Sequence, residues 1–257
     1  MRRVTTGLLA SLLAISPGHA TAQETELAPG ATEVAADPGL LQRLEEIDAR
    51  LGELESMRAR FRQTRTIPML RRPMESSGTL LWLRGAIRWD TAEPAPSTML
   101  VREHEIRLYY PDAEILELYD TGGANAGEGL PAQARTGASP RLAQLLERFE
   151  IEEVSPARFE NPPEGELLAL ELTPLDDELG ERLERVLVLI ETGVPMARRV
   201  RIESADGEVT EIELFRLRLE PPVTEEEMEI EVPEGTLISR PMSGELGETP
   251  GPGDAGG

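Results

Sequence analysis

The stretch Pro73–Val101, PMESSGTLLWLRGAIRWDTAEPAPSTMLV, decides the fold. Leu80, Leu81, Trp82 and Leu83 run together, and Ile87 and Trp89 then alternate with Arg88 and Asp90. Aromatic residues make up only 4% of the chain, yet both of its tryptophans stand here. Side chains on a strand point alternately to opposite faces, so an unbroken apolar run needs a cover on each face. The rest of the chain has to supply those two covers, unless a ligand supplies one.

Outward from this stretch the apolar period remains two. Ile106, Leu108 and Tyr110 alternate with Arg107 and Tyr109, and Met228, Ile230 and Val232 alternate with Glu227, Glu229 and Glu231. Ile115–Tyr119, Leu167–Leu172, Arg185–Ile190, Val200–Ile202 and Val209–Leu219 are further short runs that read as strands. Turn chemistry separates them at Arg102-Glu103-His104-Glu105, Tyr110-Pro111-Asp112-Ala113 and Asp206-Gly207. Strands joined by tight turns pair antiparallel. Within Val209–Leu219 the apolar phase slips from Ile212 and Leu214 to Phe215, Leu217 and Leu219, as a β-bulge requires. A bulge bends a sheet, so the wall is expected to curve.

Two segments carry the helical period instead. Asp37-Pro38 is a cap followed by proline, and Leu40, Leu44, Ile47, Leu51 and Leu54 then recur every three or four residues, predicting a helix over 38–58. Ser139–Phe149 repeats the pattern with Leu142, Leu145, Leu146 and Phe149 on one face. The expected architecture is mainly β with some α: a curved antiparallel sheet whose concave side the helices cover. The domain is expected over 37–242, between disordered segments at 23–36 and 243–257 that are rich in Gly, Pro and Glu. The Gly/Ala-rich insert Thr121–Pro140 is long for a loop and so is expected to be functional or mobile.

Arg2 and Arg3, the apolar run Val4–Ile15 and the small residues Gly18–Ala22 form a secretory signal peptide over 1–22, too short and too small-residued at its end to be an anchor. The chain contains no cysteine, which removes both a disulfide framework and a lipid-bearing residue after the leader. A soluble periplasmic protein follows as the expectation. The formal charge is −22, about −24 without the two leader arginines, and such a surface repels nucleic acid and anionic headgroups. No nucleic-acid partner is expected.

Catalytic constellations are poor. His104 is the single histidine outside the leader and sits in a turn among charged residues, so neither a Ser-His-Asp mechanism nor a zinc site has its usual components. With 48 acidic residues no carboxylate pair is informative, and the glycines of 122–129 lack dinucleotide-binding spacing. No catalytic residue, metal or cofactor is expected. The specific signal is the apolar wall itself: Leu80, Trp82, Ile87, Trp89, Met99, Val101, Ile106, Leu108 and Tyr110. A curved sheet under a helical lid leaves a concave apolar space for a ligand.

The run Met57-x-Ala59-Arg60-Phe61-Arg62-Gln63-Thr64, then PMESSGTLLW, then IRWDTAEPAPSTMLV and RLYYPD, resembles the periplasmic outer-membrane lipoprotein carriers of the LolA type. The C-terminal run DGEVTEIELFRLRLEPPVTEEEMEIEVPEGTLI is similar to that family's last strands, and the resemblance covers Asp37–Pro241. It implies an unclosed β-barrel with a helical lid over an apolar cavity, holding the acyl chains of a lipoprotein cargo. It further implies an inner-membrane ABC transporter as donor, an outer-membrane acceptor, and a monomeric carrier. Arg84 stands where that family has an arginine latching the lid, and Ile87 where it has an apolar residue near the cavity mouth. The short turn Arg84-Gly85-Ala86 departs from the family pattern, so Arg88 competes with Arg84 as latch. The same barrel would also suit another amphiphile, such as a polyene or glycolipid, or a regulatory module that senses lipoproteins.

Overall fold

The computed structural model describes residues 37–120, 142–241 and 245–248. The expected signal peptide over 1–22, the segment 23–36, the insert 121–140 and the remainder of the tail lie outside the described residues.

Asp37 accepts a hydrogen bond from the Leu40 amide at 3.2 Å and Pro38 opens the first turn of α1 (Pro38–Glu53). The cap satisfies one of the amides that every helix start leaves unpaired. The helix stops short of the predicted residue 58. Leu54 is extended, and Met57, Ala59 and Phe61 bury themselves at every second position of β1 (Ser56–Thr66). The period-two apolar set captures residues that the helical stripe would otherwise claim.

The chain continues through β2 (Met74–Leu83), β3 (Ala86–Glu93), β4 (Ser97–Val101), β5 (Glu105–Tyr110) and β6 (Ile115–Asp120). The short α2 (Leu142–Leu145) and β7 (Phe149–Val154) follow, so the predicted second helix keeps one described turn and Phe149 belongs to a strand. Then come β8 (Leu167–Pro174), the short α3 (Asp177–Gly180), β9 (Leu183–Glu191), β10 (Ala197–Ser204), β11 (Val209–Leu219), β12 (Leu237–Arg240) and β13 (Glu245–Glu248). The described strands form one sheet in the order β13-β12-β6-β5-β4-β3-β2-β1-β11-β10-β9-β8-β7. Its two end strands, β13 and β7, are not paired with each other, so the barrel is unclosed.

Three details depart from the sequence reading. The predicted strand at Met228–Val232 is instead a 3-10 turn, Glu226–Met228, followed by a strap without ladder pairing. Pro221, Pro222 and Pro233 flank it and withhold the donors that a strand needs, while Met228 is fully buried on one side. The strap carries the chain across the outer face to β12, which therefore pairs with β6 in parallel, the exception in an otherwise antiparallel sheet. Glu245–Glu248, inside the segment expected to be a disordered tail, pairs with β12 as β13.

The bulge falls where the apolar phase slips. Arg58 pairs with Arg218 but Arg60 with Phe215, and Arg216 takes φ 51°. The β2–β3 hairpin closes through Arg84 and Gly85 at φ 46° and 90°, both positive, as a tight two-residue hairpin demands.

Candidate functional site: the inner apolar face

Directly opposed residues of an antiparallel pair share a face, so the register sorts the side chains. The face that carries α1, the inner face, takes Met57, Ala59, Phe61 and Gln63 from β1 and Leu80 and Trp82 from β2. It continues through Ile87 and Trp89 to Met99 and Val101, and on to Ile106, Leu108 and Tyr110. All nine residues singled out in the sequence meet on this one face and in one cluster, with Trp89 and Tyr110 partly buried at its margin. Met57, Ala59, Phe61, Tyr119 and Leu214, which with Leu54 complete the cluster, were not among those nine. The period of two in β1, β6 and β11 carries their signal.

Gly78 explains how two large rings share this wall. A Cβ there would lie 1.8 Å from the Asp90 carbonyl oxygen and 2.8 Å from the Phe61 ring. Without one, Phe61 and Trp89 approach across β2 to 4.4 Å between ring centroids. Tyr119 donates to Glu117 at 2.9 Å, a carboxylate on the same face of β6. Burial, and then Glu117, pushes the Tyr110 phenol up to about 12, and burial is also the larger cause of the upward shift at Tyr119.

Among the described residues the cover over this cluster is narrow. Leu51 and Leu54, at the end of α1, pack on it, while Leu40 and Leu44 at the start of the same helix belong to a second cluster over β7, β8 and β9. The α1 helix therefore lies across the inner face with one end on each cluster. Polar ties fix it: the Trp82 indole donates to the Leu54 carbonyl at 3.2 Å, Arg50 donates to the Gly193 carbonyl at 2.7 Å, and Arg43 pairs with Glu153. Asp48 in turn accepts from the Leu142 amide at 2.7 Å.

The two latch candidates stand apart: Arg84, in the β2–β3 turn, lies near both Glu55 and, at 3.8 Å, Glu225 ahead of the strap, whereas Arg88 lies on the outer face. Arg84 reaches Glu55, immediately after the helix, at 3.0 Å, and its amide donates to the Glu55 carbonyl. Its side chain is 67% exposed, so the pair is weak. Arg88 points to the outer face. It meets Asp90 at 2.9 Å and donates to the carbonyls of Glu227 and Glu229 at 2.9 and 2.5 Å, fastening the strap. Under that strap Leu81, Leu83 and Leu100 pack with Met228. Among the described residues, the covers of the Leu80–Leu83 run are thus the end of α1 and the strap.

A cavity of about 450 Å³ opens at the other end of α1, lined by Asp37, Leu40, Leu41, Leu146, Phe149 and Ile151 among others. None of the nine wall residues lines it. His104 is exposed in the β4–β5 turn beside Glu103. Among the described residues no group of three His, Cys, Asp or Glu could hold a metal ion, and no helix is long and apolar enough to cross a membrane.

No family model and no curated protein matches the sequence. Solved structures do resemble it. A conserved protein from Thermus thermophilus, described as uncharacterized, aligns over 77% of this chain and 98% of its own at 12% identity and TM-score 0.50. The Mycobacterium tuberculosis lipoprotein LppX aligns over 74% and 99% at 13% identity and TM-score 0.44. A LolA superfamily protein from Nitrosomonas europaea aligns over 74% and 97% at 10% identity and TM-score 0.36. The likeness to the Thermus protein is one of fold: the chain is an unclosed β-barrel with a helix laid across its inner face.

Proposed function

We propose that this chain is a periplasmic carrier that shelters the acyl chains of lipid-anchored proteins between α1 and the inner face, and moves them from the inner to the outer membrane. The observation that carries the reading is the mismatch between wall and lid. Among the described residues, a face that β1 to β6 and β11 build is covered by Leu51 and Leu54 at the end of one helix, with Met196 packed beside them. Burying a leucine is worth about 1.5–3 kcal/mol, so lifting Leu51 and Leu54 from the wall costs about 3–6 kcal/mol. Each acyl methylene that replaces them returns about 0.8 kcal/mol, so roughly four to eight methylenes offset the opening and any longer chain favours it.

The sequence resemblance to lipoprotein carriers and the leader-like first residues support the same reading. Exposed acyl chains are too costly to pass through water, so cargo is handed over in docked complexes, with an inner-membrane transporter as donor and an outer-membrane acceptor. The wall offers few polar anchors, which allows transfer in small steps.

Both tryptophans of the chain belong to this wall. Energy transfer from Trp82 and Trp89 to cis-parinaric acid is therefore the direct test. Saturable transfer, competed by a diacylated lipopeptide, is the expected result. Absence of transfer would contradict occupancy of this face.

A further inference from the structure

The β1–β2 hairpin projects an apolar, basic tip from an acidic molecule. From Ser56 to Met74 the sequence has no Asp or Glu but holds Arg58, Arg60, Arg62, Arg65, Arg71 and Arg72, in a chain of net charge −22. At the tip Met69 is 93% exposed and Leu70 49%, and Arg71 and Arg72 beside them are exposed and form no ion pair among the described residues.

The tip is held in place. The Leu70 amide donates to the Ile67 carbonyl at 2.9 Å, closing the turn. Pro68 lies so close to the β10–β11 turn that a Cβ on Gly207 would meet its ring at 3.3 Å. At the base Arg65 pairs with Glu208, both largely buried. The register places this hairpin end on the same rim of the sheet as the β8–β9 connection, with exposed Leu175, and the start of β12, with exposed Leu237. Of the large exposed hydrophobics among the described residues, Leu219 alone lies on the opposite rim.

We infer that this hairpin tip is a docking prong for an anionic lipid bilayer, with Met69 and Leu70 entering the interface and Arg71 and Arg72 meeting the headgroups. Apolar side chains flanked by arginine are the chemistry of an interfacial anchor, and a prong this small gives reversible contact. The acidic remainder of the surface is repelled by the same headgroups, which leaves the tip foremost. This inference does not depend on what the inner face carries.

Sedimentation of the full mature chain with vesicles of phosphatidylethanolamine and phosphatidylglycerol, against phosphatidylcholine alone, tests it. Binding to the anionic vesicles that falls with salt is expected. M69D/L70D and R71E/R72E are each expected to weaken it by about tenfold or more, while L219D on the opposite rim leaves it unchanged. Unaltered unfolding midpoints and unaltered parinarate binding in the tip variants separate this surface from the inner face. No vesicle binding by the parent chain, equal binding by the tip variants, or an equal loss in L219D would overturn it. A tip variant impaired only towards a protein partner would do the same.

Discussion

The Trp82 indole nitrogen donates to the Leu54 carbonyl at 3.2 Å, so the floor of the inner face holds the last residue of the lid directly. The bond is buried and joins β2 to the C-cap of α1. Indole has a single donor, so this link fixes both the ring and the helix end. Trp82→Phe keeps most of the apolar bulk and removes the donor. The expected outcome is a loss of about 1–2 kcal/mol in urea unfolding together with faster exchange of a bound acyl probe.

The two arginines are expected to separate in their effects. Arg84 pairs with Glu55 and Glu225 in the open, so Arg84→Leu is expected to leave global stability essentially unchanged and to act on release of cargo. Arg88 gives hydrogen bonds to two strap carbonyls from a side chain only 22% exposed. Arg88→Leu is therefore expected to cost about 1.5–3 kcal/mol and to speed proteolysis of the strap around Glu226–Met228. Denaturation and limited proteolysis of the two variants side by side would check the order.

Gly78→Ala places a methyl into the Asp90 carbonyl and the Phe61 ring. Backbone cannot yield as a flexible side chain can, so a loss of at least about 3 kcal/mol is expected, with the Phe61–Trp89 contact broken. Near-ultraviolet circular dichroism reports on that ring pair, and an unchanged spectrum with unchanged stability would contradict the packing described.

The phenols of Tyr110 and Tyr119 predict an alkaline limit. Their folded pKa values lie above the unfolded value near 10, Tyr110 at about 12, so the folded state holds these protons more tightly. Their contribution is complete below about pH 10 and is lost as pH rises towards the folded values. Unfolding midpoints are expected to fall between about pH 10 and 12 in the parent chain, and to fall less in Tyr119→Phe.

Much of this was legible because the side-chain period of a strand is two. Alternation in Ile106–Tyr110 and the aromatic run at Leu80–Trp89 assign residues to faces without any structure, and the register then brings them together. The phase slip at Leu214–Phe215 gives the bulge in the same way. The strap misleads for a physical reason: Met228 and Ile230 alternate like a strand because they pack one-sidedly, yet the prolines around them prevent pairing. Helix end and strand start compete over residues 54–58, where Leu54 fits both patterns and only tertiary packing decides. Alternation with Ile87 and Trp89 already put Arg88 on the face opposite the wall, but that the other cover there is a strap, fastened by Arg88, was not legible.

In the carrier reading, the wall around Trp82 accepts acyl chains beneath the end of α1. The decisive test is native mass spectrometry of the chain, purified without detergent from cells that express it, followed by lipid extraction. One acylated species per chain is expected. A chain that stays empty, even after incubation with lipoprotein, would mean that Leu51 and Leu54 close an ordinary core and that the carrier reading is wrong.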